Sequence, residues 1–322
     1  MNRSWIAALA ACVVAMSTPV VAQEKLLIGA SSASSSQYGY FVALSQLING
    51  KVPKVESSVV ETGATVDNLR RIGRNQIDLG LVTTNVGYQA FAGEGEFEGR
   101  KVDSRLLFVY SPAPQNVIVR ADSGVTSLAD LKGKRFNPGL KGSATEKTAE
   151  AVFKALDVSP EYVRGSTTDI VDSIKDNRVI GYVKSGVGDK LDGSSLDIAT
   201  LTPVRVLSLT PEQQKVVADK FPDLSVVNIP AGAADGVPAY STWSFGLAVH
   251  ARPGMSDEVA YQIAKAVFED QTVQAAALDS LKGADMIKLT LENGTVPLHP
   301  GVVRYLKEKN VEIPANLMPK SS

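Results

Sequence analysis

Cysteine is all but missing. Cys12 stands alone among 322 residues, so no disulfide staples the chain and no thiol pair offers redox chemistry. Histidine is nearly as scarce. With only His250 and His299, zinc and iron–sulfur centres lack their usual ligands, and neither a metal nor a cofactor is expected. A dominant charge is absent too: 33 Lys and Arg face 34 Asp and Glu, for a formal net charge of −1. No half of the chain is strongly basic, which removes the electrostatic ground for a nucleic-acid partner.

Catalytic motifs are also wanting. The chain has no G-x-S-x-G elbow, no S-x-x-K, no H-E-x-x-H and no phosphate-binding P-loop. Gly93-Glu94-Gly95-Glu96-Phe97-Glu98-Gly99 is one residue too long for a dinucleotide fingerprint and acidic where a pyrophosphate would sit; it reads as an exposed loop. Carboxylate pairs such as Asp189 and Asp192 occur, but nothing in the sequence sets them across a cleft.

What is present is a core-forming composition. Hydrophobic residues make up 44%, while Gly (26) and Pro (16) are ordinary, which excludes disordered and collagen-like classes. The length suits two lobes. Residues 1–22 read as a signal peptide: Arg3, an apolar stretch from Trp5 to Met16, then Val20-Val21-Ala22 ahead of a cleavage after Ala22. Leu9-Ala10-Ala11-Cys12 also fits a lipoprotein signal with Cys12 lipidated, although its apolar run would be very short. No later run approaches about 18 consecutive apolar residues, so a periplasmic protein is expected.

From Lys25 onward strand and helix alternate. Lys25 to Ala30, Val55 to Val60 and Ile77 to Val82 read as strands. Phe41, Leu44, Leu47 and Ile48, then Val66, Leu69 and Ile72, recur at helical spacing between them. That succession predicts a parallel sheet, with ligands held beyond the carboxyl ends of its strands. Leu106 to Tyr110 and Val117 to Val119 are two β-rich runs parted by Ser111-Pro112-Ala113-Pro114, a crossing between lobes. Ser143 and Glu146 form an S-x-x-E capping box before a stripe of Ala149, Val152, Phe153 and Leu156. Thr210-Pro211 and Ser256 mark further helix starts, and Phe245 to His250 leads back to the first lobe.

Three loops carry chemistry suited to a small carboxylate, each with a plainer reading beside it. Ser31 to Tyr38, including Ser34, Ser35, Ser36 and Gln37, joins a strand to a helix and supplies hydroxyls and free N–H groups; it also reads as a flexible serine-rich segment. Thr62-Gly63-Ala64-Thr65 offers hydroxyls and close backbone approach, or an ordinary cap. Gly139 to Thr145 brings Gly142, Ser143, Ala144 and Thr145 to a capped helix with Lys141 nearby, although capping alone explains Ser143. Thr83-Thr84-Asn85 ends the third strand and faces the same region, or simply caps the next helix. Tyr38, Tyr240 and Trp243 are candidate walls for an aliphatic ligand body, or core residues.

Several stretches resemble the TAXI class of TRAP-transporter solute-binding proteins. Pro297-Leu298-His299-Pro300-Gly301-Val302-Val303-Arg304-Tyr305 is close to the family's P-L-H-P-G-A-x-R-Y-Y ending. Thr62-Gly63-Ala64-Thr65-Val66-Asp67-Asn68-Leu69 is similar to its T-G-G-S-V-E-N-L. Val119 to Gly124 with Leu131 to Arg135, and Ile229-Pro230-Ala231-Gly232, match two further segments. The resemblance implies a type II periplasmic-binding-protein fold, two α/β lobes joined by crossing strands around a central cleft. It places lobe I at 23–120 plus 241–322 and lobe II at 121–240. It further implies a monomer that binds a dicarboxylate, 2-oxoglutarate or a glutamate-like acid and delivers it to integral-membrane subunits driven by an ion gradient. The binding positions carried over lie in Ser34 to Tyr38, Thr62 to Gly63, Thr83 to Asn85 and Gly142 to Thr145.

The departures cluster where the ligand belongs. The family's glycine-rich first loop is serine-rich here, its Q-S-D is Thr83-Thr84-Asn85, and its G-S-G is Gly142-Ser143-Ala144. An apolar G-x-P stretch is replaced by Lys184-Ser185-Gly186-Val187-Gly188, so Lys184 becomes a candidate partner for a ligand carboxylate or a solvated surface lysine. A ligand-sensing receptor subunit is the alternative function. A secreted hydrolase, with Ser143 and a distant histidine, is a weaker one.

Overall fold

The computed structural model describes residues 23–221 and 223–319; the signal-peptide and lipidation readings lie outside the described residues. The chain opens as β1 (Glu24–Gly29), α1 (Ser36–Lys51), β2 (Val55–Val60), α2 (Thr65–Gly73), β3 (Leu79–Thr83) and α3 (Thr84–Ala92). β1 lies in the middle, parallel to both β2 and β3. The two helical stripes are buried in full, Phe41 through Ile48 on α1 and Val66 through Ile72 on α2. Each helix covers the sheet with the face its apolar spacing defines.

β4 (Arg105–Arg120) follows, then β5 (Arg135–Phe136), α4 (Ala144–Ala155), β6 (Glu161–Tyr162), α5 (Thr167–Lys175) and β7 (Gly181–Ser185). After these come α6 (Gly193–Leu201), β8 (Val204–Leu207), α7 (Pro211–Lys220), β9 (Ser225–Ile229) and β10 (Tyr240–Ala251). The chain closes with α8 (Asp257–Glu269), α9 (Val273–Ala277), α10 (Met286–Asn293) and α11 (Pro300–Glu308).

The two runs expected on either side of Ser111-Pro112-Ala113-Pro114 are a single 16-residue strand. Proline cannot donate to a ladder, but its carbonyl still accepts. Here Gly188 N–H donates to Pro112 O at 3.3 Å and Gly186 N–H to Pro114 O at 2.8 Å. The first part of β4 pairs antiparallel with β10, and its last part with β7 and β8. β10 spans the molecule the same way, against β3 at one end and β9 at the other. Two long antiparallel strands thus tie the β1–β3 group to the β7–β8 group.

The core runs along these strands. Trp243 of β10 is fully buried and meets the Phe153 ring edge-on at 6.1 Å, joining α4 to the main core. Tyr40 and Tyr110 stack at 4.1 Å under α1. A smaller cluster gathers Ile118, Ile170, Tyr182, Ile198 and Val206 beneath α5 and α6. Helix starts follow their caps: Thr210 and Gln213 complete a reciprocal box, and Ser256 accepts from Val259 N–H. The box at Ser143 is only half made. Its Oγ accepts from Glu146 N–H at 3.1 Å, but Glu146 reaches back to Gly142 N–H instead, because Ser143 N–H already donates to Leu140 O.

Pro297 to Tyr305 proves to be a packing device. His299 caps α11 through Gly301 N–H, and a Cβ on Gly301 would sit 2.2 Å from Asp257 O. Only glycine lets α11 approach α8 so closely.

Candidate functional site

Four helices start around one small cavity of about 40 Å³. Gln37 reaches it from the first turn of α1, Thr65 from α2, Thr83 as the residue capping α3, and Ser143, Ala144 and Thr145 from the start of α4. Ser31 and Ser185 add hydroxyls. Ala64, Leu81, Leu140, Val183 and Leu247 form the apolar part of the wall. Among the described residues, Lys184 is the one charged side chain in the lining. Helix N-termini carry unpaired N–H groups and a partial positive charge, so this convergence favours an anion.

One hydroxyl points to the same conclusion. Thr83 Oγ is buried, lines the cavity and has no hydrogen-bond partner among the described residues. Such a group costs stability unless something else satisfies it. Among the described residues, Ala144 N–H and Thr145 N–H also find no acceptor. Behind them, Gln115 of β4 holds two lining hydroxyls in place. Its Oε1 accepts from Thr145 Oγ at 2.8 Å and Ser185 Oγ at 3.1 Å.

The other expected positions serve different ends. Ser35 caps α1, accepting from Gln37 N–H at 3.2 Å, and Ser34 is exposed. Ser36 N–H donates to Asp192 Oδ2 at 2.8 Å. Thr62 bonds Ala30 O and Ala64 N–H. Gly63 and Gly142 bring two loops together: a Cβ on Gly63 would stand 3.2 Å from Lys141 O, and Val66 N–H donates to Gly142 O at 3.1 Å. Their lack of a side chain thus serves the approach of loop to loop. Thr84 Oγ accepts from Gly246 N–H, and the buried Asn85 amide is unpaired without lining the cavity.

None of the three aromatic residues forms a wall. Trp243 is core, Tyr240 donates to Asn116 Oδ1 at 2.6 Å, and Tyr38 packs half-buried against the main core. Three of the five aliphatic wall residues, Leu81, Val183 and Leu247, come from strands β3, β7 and β10 and give no sign in sequence of facing a ligand. The histidines stand apart: His250 Nδ1 bonds Ser104 Oγ, and His299 Nε2 approaches Met255 O. Burial drives the His250 pKa down to about 3. Neither ring lines the cavity, so the distant histidine of the hydrolase alternative does not accompany Ser143 there.

The residue most completely missed is Asp192. It caps α6 and is fully buried, accepting from Ser194 N–H at 3.0 Å and Ser194 Oγ at 2.6 Å on Oδ1. Lys184 Nζ lies 3.6 Å from the same oxygen. Larger depressions of about 980 and 690 Å³ lie along β8 and α10, but they are open grooves and hold no helix start of this kind.

A profile described as the NMT1-like family matches residues 28–309. A solved periplasmic transporter is similar at 12% identity, covering 90% of this chain and 98% of its own, with a TM-score of 0.54. A structure from work on glutathione import in Streptococcus mutans aligns at 10% identity over 82% and 97%, TM-score 0.52. An ancestral arginine-binding protein bound to arginine aligns at 17% identity over 80% and 97%, TM-score 0.50. At these identities the likeness concerns the fold, and it shows the two-lobed periplasmic-binding-protein architecture around the strands described above.

Proposed function

The chain belongs to the NMT1-like family, and from that premise we propose that it is a periplasmic solute-binding protein. It captures a small organic anion between two lobes, 23–120 plus 241–322 and 121–240, and passes it to a membrane transporter. The carrying observation is the single cavity at which α1, α2, α3 and α4 start, with Lys184 in its wall. Neutral donors can hold a carboxylate there without a bare buried charge being left when the site empties. Each charge-assisted hydrogen bond contributes roughly 1.5–3 kcal/mol, against about 1 for a neutral one.

Closure draws on contacts already present between the lobes. Val66 meets Gly142, Ser36 meets Asp192, and Lys147 pairs with Glu96 at 2.9 Å. A ligand touching both lobes adds to the closed form what it cannot add to the open one. For the membrane partner, the TAXI-like segments favour TRAP-type subunits driven by an ion gradient.

A thermal-shift panel of carboxylates, amino acids, sugars and cations tests the ligand class. A true ligand at about 1,000 times its Kd stabilises by about 4 kcal/mol. Shifts by sugars or cations alone overturn the anion reading. Uptake in vesicles that runs on an ion gradient without ATP supports the partner, and a strict need for ATP overturns it.

A further inference from the structure

The N-terminus of α1 is already occupied by the protein's own carboxylate. Asp192 Oδ2 accepts from Ser36 N–H at 2.8 Å, and Gly193 N–H donates back to Ser36 Oγ at 2.8 Å. α1 and α6 therefore begin face to face, and one buried carboxylate caps both. The next α1 amides are used as well, Gln37 N–H by Ser35 Oγ and Tyr38 N–H by Ser35 O. The starts of α3 and α4 differ, for there Thr83 Oγ and the amides of Ala144 and Thr145 have no partner among the described residues. Lys184, the only cation in the lining among the described residues, stands beside Asp192 with its charge already faced.

Resting on the anion reading above, we infer that the site takes an acid with a single carboxylate, and that Asp192 holds the place a second carboxylate would need. Two observations support this independently. The first is electrostatic: a second carboxylate near α1 would meet a fully buried like charge and no free cation, and an unpaired buried charge is strongly disfavoured. The second is the supply of donors: among the described residues, the unpaired groups at the cavity are Thr83 Oγ and the amides of Ala144 and Thr145, all at the starts of α3 and α4, and one carboxylate occupies them.

Calorimetric titration with propionate, pyruvate, succinate and glutarate tests this. The monocarboxylates should bind at least about tenfold tighter than the dicarboxylates, a difference of about 1.4 kcal/mol. Asp192→Asn keeps a good N-cap for α6 while removing the charge, and should cut that preference at least about tenfold. Dicarboxylates binding the native protein as well as monocarboxylates would overturn the inference and leave the anion site standing. No response to any of the four acids would instead remove the anion reading itself. An Asp192→Asn protein that folds but keeps the native preference reduces Asp192 to a cap. The preference of the native protein stands as a test even where the variant fails to fold.

Discussion

α1 and α4 both begin at a serine cap beside the same cavity, yet they present opposite surfaces to it. At α1 every early amide is spoken for, by Ser35 or by Asp192 at the start of α6. At α4 Ser143 satisfies Glu146 N–H and leaves Ala144 and Thr145 open. The same local motif therefore yields a structural joint in one place and a pair of open donors in the other. What separates them is a carboxylate supplied by a residue 156 positions away in the chain. A helix start becomes a binding site only when the rest of the fold leaves it unfilled.

The largest expected effect tests the charge between the two starts. Lys184→Met should weaken binding of the captured acid roughly ten- to hundredfold, as loss of a charged hydrogen bond of about 1.5–3 kcal/mol implies. It should also lower Tm, since Asp192 keeps its burial but loses its cation. Calorimetry beside a melting curve reads both. Unchanged affinity would mean that Lys184 serves Asp192 alone.

A second test separates the site from the scaffold by pH. His250 has a folded pKa of about 3, below its usual 6.5, because burial disfavours its charged form. Its contribution is complete above pH 6.5. As the pH falls, the unfolded chain takes up a proton that the folded protein refuses, at a slope of up to about 1.4 kcal/mol per pH unit. Denaturant titrations between pH 7 and 5 should show that decline, and His250→Gln should flatten it. The hydroxyls and amides at α4 do not titrate in this window, so affinity there should hold while stability drops.

Smaller still is the contrast between two caps. Ser143→Ala and Ser256→Ala should each cost about 1 kcal/mol of stability. Only Ser143, which lines the cavity, should also lose affinity, by several-fold in the same titration. Equal affinity in both variants would make Ser143 an ordinary cap.

Local physics made much of this readable in sequence. Val55 to Val60 is a strand to the residue, and the stripes on α1 and α2 are buried as their spacing demands. Ser143 and Thr210 begin helices where their side chains said they would. The failures are non-local. Pro112 and Pro114 looked like a break because their carbonyl partners, Gly188 and Gly186, lie far along the chain. Asp192-Gly193-Ser194 is legible as a cap, but not as the joint with Ser36. Gly63 and Gly142 stand among the candidate ligand positions, whereas in the structure they let two loops touch. The glycine-flanked acidic loop, read as exposed, keeps that exposure at Glu96 while also reaching Lys147 on α4.

That loop supplies the mildest test of closure. Glu96 bridges Lys147 at 2.9 Å on α4 and Arg70 at 3.3 Å on α2. The hydrogen bond from Lys147 lowers its pKa, so its contribution is present above the usual carboxylate range and fades as the pH falls through it. Both partners are well exposed, and such pairs contribute roughly 0.2–1 kcal/mol, screened by salt. Glu96→Gln should therefore weaken acid binding less than about fivefold at low ionic strength, and the difference should vanish near about 0.5 M salt. Asp192, sealed from solvent, should show no such salt dependence. If Asp192→Asn and Glu96→Gln faded together with added salt, the joint at α1 would be as open to water as the rim, and the distinction between the two helix starts would be lost.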